Sequence, residues 1–347
     1  MALIMAMIAI FVFSALAASF ALSMKVETRL AQNADSEQEL LWLGRSGVEL
    51  ARYVLTQQLA IPNEPYDSLN QIWAGGPGSG SDTNRGFSGQ IMDHFPVGDG
   101  TVSIKIVDLE RKVNINTASA KEIQQALTIM GVDANDMSIV SDSILDWIDS
   151  GDDANAAGAE SDYYQGLAVP YFAKNAPIDD LSELLLVKGV TSEMYWGSNA
   201  TNHMPSVFQH KLGFGTSPGE APDYPFGLVN IFTPVSSGRI NVNTADINVL
   251  QMIPNVDANI AENIIKRRAG PDGVDGTEDD TPFRNPGDIA QVDPTLNPQQ
   301  INSLCTTRSL TFEVHVTAQI GDYQREYVAI LYRAPGNDIQ VMGFYWK

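Results

Sequence analysis

Cysteine and positively charged residues are scarce in this 347-residue chain. Cys305 is the single cysteine, so no disulfide can form within the chain, which argues against a disulfide-stapled secreted fold. The chain has 21 Lys and Arg against 42 Asp and Glu, a formal net charge of −21. Such a surface repels phosphate backbones and makes nucleic acid a poor partner. Hydrophobic residues make up 44% of the chain, enough for a core, and the length suits two domains.

Motifs of catalysis are also missing. The sequence has no phosphate-binding loop and no dinucleotide-binding fingerprint. Asp142, Asp146 and Asp149 share one face of a predicted helix, but no acid, base or nucleophile complements them. The histidines are scattered without the spacing of metal ligands, at His94, His203, His210 and His315. We therefore expect no enzyme activity.

The first 24 residues carry no charge, and the first charged residue is Lys25. As a helix this run spans about 36 Å, enough to cross the hydrocarbon core of a bilayer. It is longer than the apolar part of a secretory signal, and no positive residues precede it. An apolar run that starts at the first residue suggests that a charged leader has been removed. The sequence predicts a transmembrane half-helix over residues 1–24.

The same helix is predicted to continue beyond the membrane, because Lys25 to Gln58 contains no proline. Apolar or small residues recur there at spacings of three and four, at Leu41, Gly44, Val48, Ala51 and Leu55. This stripe must be buried against a soluble domain. Residues 61–62 break the helix, and the Gly/Ser-rich residues 75–86 indicate a loop.

Alternating strands flank a helical middle. Residues 101–107 form one predicted strand, and 310–320, 327–332 and 341–346 form a C-terminal meander. With the long helix lying across this antiparallel sheet, the fold class is α+β. The predicted sheet domain comprises residues 25–112 and 301–347. Residues 113–300 form a large inserted all-helical domain.

A repeat lies inside this insert. Residues 113–118 (VNINTA) recur at 240–245 (INVNTA), and in each copy an Asn-Thr cap is predicted to open a helix, over 119–127 and 246–252. The second copy continues through 254–259 into a helix at 260–268, which is helix-hairpin-helix-like. DNA-binding hairpins hold phosphate with a Gly-rich turn, whereas this turn has no glycine and contains Asp257. A helical interaction domain is the preferred interpretation.

Two acidic clusters in the insert are candidate calcium sites. Calcium binds six to eight hard oxygens on a tightly folded loop, and glycine permits such folding. The alternative is a pair of solvated acidic loops. The first cluster contains Asp149, Asp152, Asp153, Glu160 and Asp162. The second contains Asp272, Asp275, Thr277, Asp279 and Asp280.

Several segments together resemble the minor pseudopilin K of type II secretion, the general secretion pathway protein K family. The N-terminus is pilin-like but carries Met5, where most pilin-type subunits have a glutamate that this family lacks. The segments of the insert that carry the resemblance are Leu145-Asp-Trp-Ile-Asp149, Gly158-Ala-Glu160, Asn175-Ala-Pro177 and Leu181-Ser-Glu-Leu184. The resemblance implies a pilin-like α+β fold with a helical insert, and calcium as a structural cofactor.

It also implies a role and a place. The family's subunit caps a pseudopilus tip with I-like and J-like minor pseudopilins, and serves the secretion machinery and secreted proteins. It is anchored once in the bacterial inner membrane, with its soluble part in the periplasm. Met1 and Met5 are the expected assembly residues, since the usual glutamate pairs with a neighbour's terminal amine. The alternatives are a tip pilin of a type IV pilus-like filament and a membrane-anchored DNA-binding protein.

Overall fold

The computed structural model of the chain describes residues 2–78, 92–199, 224–336 and 338–347; for Ala2, Arg29, residues 32–35 and Asn199 the description is limited to the backbone. Met1, His203 and His210 lie outside the described residues, as does most of the predicted loop at 75–86.

Helix α1 (Ala2–Leu59) is continuous, as predicted. Its segment Leu3–Thr28 is long and apolar enough to cross a membrane, and none of it is buried within the chain. The second half is amphipathic, with Val48, Ala51 and Leu55 buried against the sheet. One helix therefore has a fully exposed apolar half and a half whose stripe is packed.

The sheet contains five strands in the order β1-β2-β7-β8-β9, and every neighbouring pair is antiparallel. Its strands are β1 (Phe95–Val97), β2 (Gly100–Asp108), β7 (Thr311–Ile320), β8 (Tyr323–Arg333) and β9 (Ile339–Trp346). Alternation along β2 and β7 puts Val102, Ile104, Val314 and Val316 on the face that α1 covers. The predicted α+β architecture is thus confirmed.

The insert is mainly helical. Its α-helices among the described residues are α2 (Ala120–Met130), α3 (Ala134–Ile148), α4 (Ser161–Gln165), α5 (Ser192–Trp196), α6 (Leu228–Ile231), α7 (Ile247–Leu250), α8 (Ala258–Arg268) and α9 (Pro298–Leu304). Short 3-10 helices occupy Ile72–Ala74, Ile115–Thr117, Leu181–Leu186, Gly197–Asn199 and Pro286–Gln291.

The insert also contains strands, so the prediction of an all-helical insert was wrong in that detail. Strand β3 (Val113–Asn114) pairs in parallel with β4 (Phe232–Thr233). Strand β5 (Ile240–Asn241) pairs in parallel with β6 (Cys305–Thr306). Each repeated sequence therefore starts on a strand, and a strand from the far end of its own copy closes it.

The helix caps also differ from the prediction. Ser119, rather than the Asn-Thr pair, caps α2 in a capping box with Glu122. Asp246 caps α7 by accepting hydrogen bonds from two backbone amides. The asparagines are used elsewhere, because Asn114 and Asn241 each accept from the amide two residues ahead and so fold the turn.

Two groups of buried apolar side chains form the interior. One lies in the insert, between Val113 and Cys305, and the other joins α1 to the sheet. Buried polar side chains connect the two groups: the Asp108 carboxylate accepts hydrogen bonds from Asn241, Thr244 and Ser309. The predicted domain boundaries at 113 and 300 stay a prediction.

Candidate metal centre in the insert

Three carboxylates converge in the first acidic region. Asp146, Asp149 and Glu160 each offer an oxygen, and these oxygens lie within 4.8 Å of one another. Asp146 lies in the last turn of α3, Asp149 ends that helix, and Glu160 immediately precedes α4. Three negative charges at this separation repel each other unless a cation neutralises them.

The loop between α3 and α4 folds back onto Asp146. Asn155 donates its backbone amide to Asp146 Oδ1 at 3.1 Å, and Ala157 donates to Asp142 Oδ2 at 3.1 Å. Gly158 is needed here because a Cβ atom would lie 1.8 Å from Asp146 Oδ2. This close approach of the backbone brings Glu160 up to the end of α3.

Glu160 has the least satisfied carboxylate of the three. The residue is only 4% exposed, and neither carboxylate oxygen has a hydrogen-bond partner among the described residues. Burial, together with repulsion from Asp146, Asp149 and Asp152, raises the pKa of Glu160 to about 7. A bound cation would reverse this effect, because it favours the ionised carboxylate.

Neutral oxygen atoms also belong to the loop between α3 and α4 or to residues that contact it. Asn175 donates its amide to Gly151 O at 2.7 Å and to Asp152 Oδ1 at 3.0 Å. Its own Oδ1 is buried without a partner among the described residues. The Lys188 ammonium binds the carbonyls of Ala157 and Gly158. No described basic group pairs with the three carboxylates themselves.

The donor set suits a hard cation. The gathered ligand atoms are carboxylate oxygens, without the histidine or cysteine that zinc sites use. Calcium accepts such oxygens in flexible numbers, and the unpartnered Glu160 carboxylate is the group that it would satisfy. The residues present therefore fit calcium.

The structure brings together Asp149 and Glu160 from the predicted set and adds Asp146. Asp152 lies beside them and is held by Asn175, whereas Asp153 and Asp162 are exposed and lie outside the group of three. The spacing of Asp146 and Asp149 on one helix face was a usable signal for Asp146. On its own, that spacing shows only that the two carboxylates share a helix face.

The second acidic loop has a different arrangement. Arg268 pairs with Asp275, with Nη2 2.7 Å from Oδ2, and the arginine is buried. Asp280 accepts from the amide of Gly276 at 2.8 Å, and Thr277 donates its hydroxyl to Asp279 at 2.8 Å.

These hydrogen bonds give several of the loop's carboxylates partners within the chain. Asp272 has one as well, because it accepts from the amide of Val274 at 2.8 Å. The loop turns through glycines with positive φ, at Gly270, Gly273 and Gly276. Calcium binding by Asp272, Asp275, Thr277, Asp279 and Asp280 stays a prediction.

The two acidic loops occupy equivalent places in the repeat. In the first copy, Asn116 clamps Ile178, accepting from its amide at 2.7 Å and donating to its carbonyl at 2.9 Å. In the second, Asn243 clamps Phe283 in the same way, at 2.8 and 3.0 Å. Each acidic loop lies between the second helix of a hairpin and the clamped residue. The repeat is thus longer than its six-residue signature.

The chain is similar in sequence to known proteins of type II secretion. Residues 104–197 match the family model described as Type II secretion system (T2SS), protein K. The chain is 24% identical to the Type II secretion system protein K of Pseudomonas aeruginosa, over 98% of this chain and 90% of that protein. The protein of the same name from Aeromonas hydrophila is 26% identical over 56% of this chain and 60% of its own length.

A solved structure shares the fold. A chain in the crystal structure of the GspK-GspI-GspJ complex from the enterotoxigenic Escherichia coli type 2 secretion system matches with a TM-score of 0.63. The match covers 91% of this chain and 99% of that chain. Because the identity is only 16%, the match shows a shared fold and nothing further. Together, the matches confirm the resemblance to protein K of type II secretion.

Proposed function

We propose that this chain is a minor pseudopilin that caps the tip of a type II secretion pseudopilus and acts in filament initiation and protein secretion. The observation that best supports this proposal is the difference between the two halves of α1. The segment Leu3–Thr28 is apolar and entirely unpacked, whereas the second half is seated on the sheet. An unpacked apolar half-helix needs lipid or neighbouring helices around it, as in a filament whose subunits pack by their N-terminal helices.

The proposed partners are I-like and J-like minor pseudopilins, together with the secretion machinery and secreted proteins. The structural relative was solved in a complex with GspI and GspJ, which supports this choice. The role is one of protein contacts rather than catalysis. The anchor would cross the bacterial inner membrane once, leaving the sheet and the insert in the periplasm.

Charge and bulk support the proposed tip position. Met5 is 71% exposed on the apolar half of α1, where a glutamate would need a cationic partner from the next subunit. A subunit with methionine at this position needs no cationic partner. The insert adds a second core of its own beside the sheet. Such bulk suits an end of the filament rather than its shaft.

Calcium is the proposed structural cofactor. Asp146, Asp149 and Glu160 would hold it, with Asp152 and Asn175 at the margin of the site. When bound, the cation would supply positive charge that cancels the repulsion among the carboxylates. Preferential binding to the folded state would stabilise the loop between α3 and α4.

The structure of the hairpin turn before α8 argues against the DNA-binding alternative. A phosphate would need the free amides at the start of α8, but Asp257 caps that helix by accepting from Ile260 N at 2.8 Å. The carboxylate therefore occupies the place that an anion would take. No observation favours the pilus-tip pilin over the pseudopilin.

The test is affinity purification of the tagged chain from mildly solubilised envelopes, with a matched Met5→Glu variant. Small pilin-like subunits should co-purify with the native chain in near-stoichiometric amounts. Met5→Glu should change which subunits are recovered or their order of assembly. If the native chain recovers no pilin-like subunit, the proposal is wrong. Unchanged assembly and secretion with Met5→Glu would remove the charge argument for the tip.

A further inference from the structure

We infer that a cleft on the second repeat binds a carboxylate group presented by a peptide. The cleft has a volume of about 520 Å³. Its lining includes Arg267, Phe283, Arg284, Asp288, Gln291 and Val292. We call it the arginine cleft. It is separate from the three carboxylates of the first repeat and goes beyond the proposed assembly role.

The cleft presents two positive charges on a strongly acidic chain. No ion pair joins either guanidinium to a carboxylate among the described residues. Nearby cations on α8 differ, since Lys266 pairs with Glu262 and Arg268 with Asp275. With a net charge of −21, the chain as a whole repels anions. Two arginines that line one cleft therefore make a local site of the opposite sign.

Both guanidinium groups are held in place. Arg267 Nη1 donates to Thr281 Oγ1 at 2.6 Å, and its Cζ lies 5.9 Å from the ring centroid of Phe283. Arg284 Nη2 donates to the carbonyl of Asn63 at 3.2 Å, which ties it to the segment after α1. Each guanidinium keeps further N–H groups that can bind a carboxylate in a fork. Because the groups are already oriented, little side-chain entropy is lost on binding.

The floor of the cleft is rigid and apolar. Phe283 is 5% exposed, and the Asn243 clamp fixes its backbone amide and carbonyl. Val292 is half-buried beside it. A residue with an apolar stem and a charged end, such as glutamate, matches a cleft with an apolar floor and cationic walls.

Charge balance favours a carboxylate over a phosphate. Asp288 lies in the same cleft and accepts from the Asn285 amide at 3.1 Å. Two guanidinium groups and one carboxylate leave a net charge of about +1, which one carboxylate neutralises. A phosphate dianion would leave an excess of negative charge. A glutamate or aspartate side chain and a peptide C-terminus share the required chemistry.

The test measures fluorescence anisotropy with the full chain in nanodiscs. The main probe is a labelled pentapeptide, capped at both ends, with one glutamate between two leucines. Three matched probes carry glutamine, phosphoserine, or a glutamine with a free C-terminal carboxylate. We expect the glutamate probe to bind at least about tenfold more tightly than the glutamine probe. Tight binding of the free-terminus probe would identify a peptide C-terminus as the source.

Variants locate the binding. Arg267→Gln with Arg284→Gln should abolish the preference for glutamate over glutamine, whereas Lys266→Gln, on the same helix but paired with Glu262, should not change it. Asp288→Asn should improve binding of the phosphoserine probe by removing a negative charge. Equal binding of glutamate and glutamine probes, or an unchanged preference in the double arginine variant, overturns the inference. So does a native preference for phosphoserine or for a short DNA duplex.

Discussion

Arg333 and Asp67 form a buried ion pair across 266 residues of sequence, with Arg333 Nη1 2.7 Å from Asp67 Oδ2. The side chains are only 4% and 2% exposed. Ser309 joins them, because its carbonyl accepts from Arg333 and its amide donates to Asp67. The pair links the end of β8 to the segment after α1, where the sheet meets the insert.

Replacing one partner should therefore be costly. Arg333→Met leaves a buried aspartate without its cation, which costs about 3–5 kcal/mol and lowers the melting temperature by on the order of 10 °C. The double variant Asp67→Leu with Arg333→Met should lose much less. Lys266→Met, which breaks the exposed pair with Glu262, is the control and should change little. Equal melting temperatures for Arg333→Met and Lys266→Met would contradict the assignment.

Calcium should stabilise the chain through Glu160. Calcium well above its dissociation constant should raise the melting temperature, since a hundredfold excess corresponds to about 2.7 kcal/mol. Glu160→Gln should melt higher than the native chain in chelator, because it removes a buried charge that its neighbours repel. It should also lose the increase due to calcium at this site.

Two variants separate the acidic loops and control for charge. Asp279→Asn should reduce the calcium response only if the second loop binds as well. Glu262→Gln removes an exposed carboxylate of α8 and should leave the response intact. A melting curve that calcium and chelator leave unchanged would reject calcium at both loops.

The long helix and the meander were predictable because their signals are local. A proline-free apolar and amphipathic run predicts α1, and alternation predicts β2, β7 and β8. Asp146 was not predicted as a ligand because the site depends on Gly158, which lets the loop that follows α3 fold back against the end of that helix. The helical spacing of Asp146 and Asp149 predicts a shared face, but it does not predict that the loop folds back onto that face.

The full length of the repeat could not be predicted from the sequence for a related reason. The clamps join an asparagine side chain to the backbone of Ile178 or Phe283, and a backbone partner leaves no residue pattern. Strands β3 to β6 are two residues each, and Val113 pairs with Phe232 far along the chain. Such short strands have no alternation to detect.

Helix α1 approaches the sheet closely at two glycines. A Cβ atom on Gly44 would lie 2.5 Å from the ring of Tyr327, and one on Gly47 would lie 2.4 Å from Val316 Cγ1. Alanine gains about 1 kcal/mol in helix propensity, but overpacking costs about 1–3 kcal/mol. Gly44→Ala and Gly47→Ala should therefore destabilise the chain.

The control for this prediction is Ser46→Ala on the same helix turn, where the Ser46 hydroxyl donates to the carbonyl of Trp42. It should be neutral or slightly stabilising in the same denaturation experiment. Stabilisation by Gly47→Ala would show that α1 lies farther from β7 than the structure has it.

His315 should make stability depend on pH. Its ring nitrogens lie 2.6 Å from Glu313 and 2.9 Å from Glu326, and Lys105 is its cross-strand neighbour. The hydrogen bond to Glu313 is the main reason that the pKa of His315 is raised. The stabilisation from protonated His315 is thus fully present below about pH 6.5 and is lost as pH rises through the raised pKa.

Glu313 sets the lower limit of that window. The hydrogen bond to His315 lowers the pKa of Glu313, so its contribution is lost as pH falls below its ordinary range. In denaturation measured from pH 4 to 9, His315→Gln should remove the loss of stability above neutral pH. An NMR titration of the native ring gives the pKa directly, and a value at or below 6.5 would contradict the assignment.

The two asparagine clamps should differ in strength. Asn243 is 2% exposed, and Asn243→Ala would leave the amide and carbonyl of Phe283 without partners inside the protein. Each buried unsatisfied group costs about 1–3 kcal/mol, so the variant should be among the most damaging in the insert. Asn116 is half-buried, and water can replace part of its contact with Ile178. Asn116→Ala should therefore cost less, and Asn263→Ala, on the exposed side of α8, should cost almost nothing.

Hydrogen exchange at the Phe283 and Ile178 amides checks this order: Asn243→Ala should expose the first amide and Asn116→Ala the second. Unchanged protection of Phe283 in Asn243→Ala would mean that packing, and not the clamp, fixes the floor of the arginine cleft.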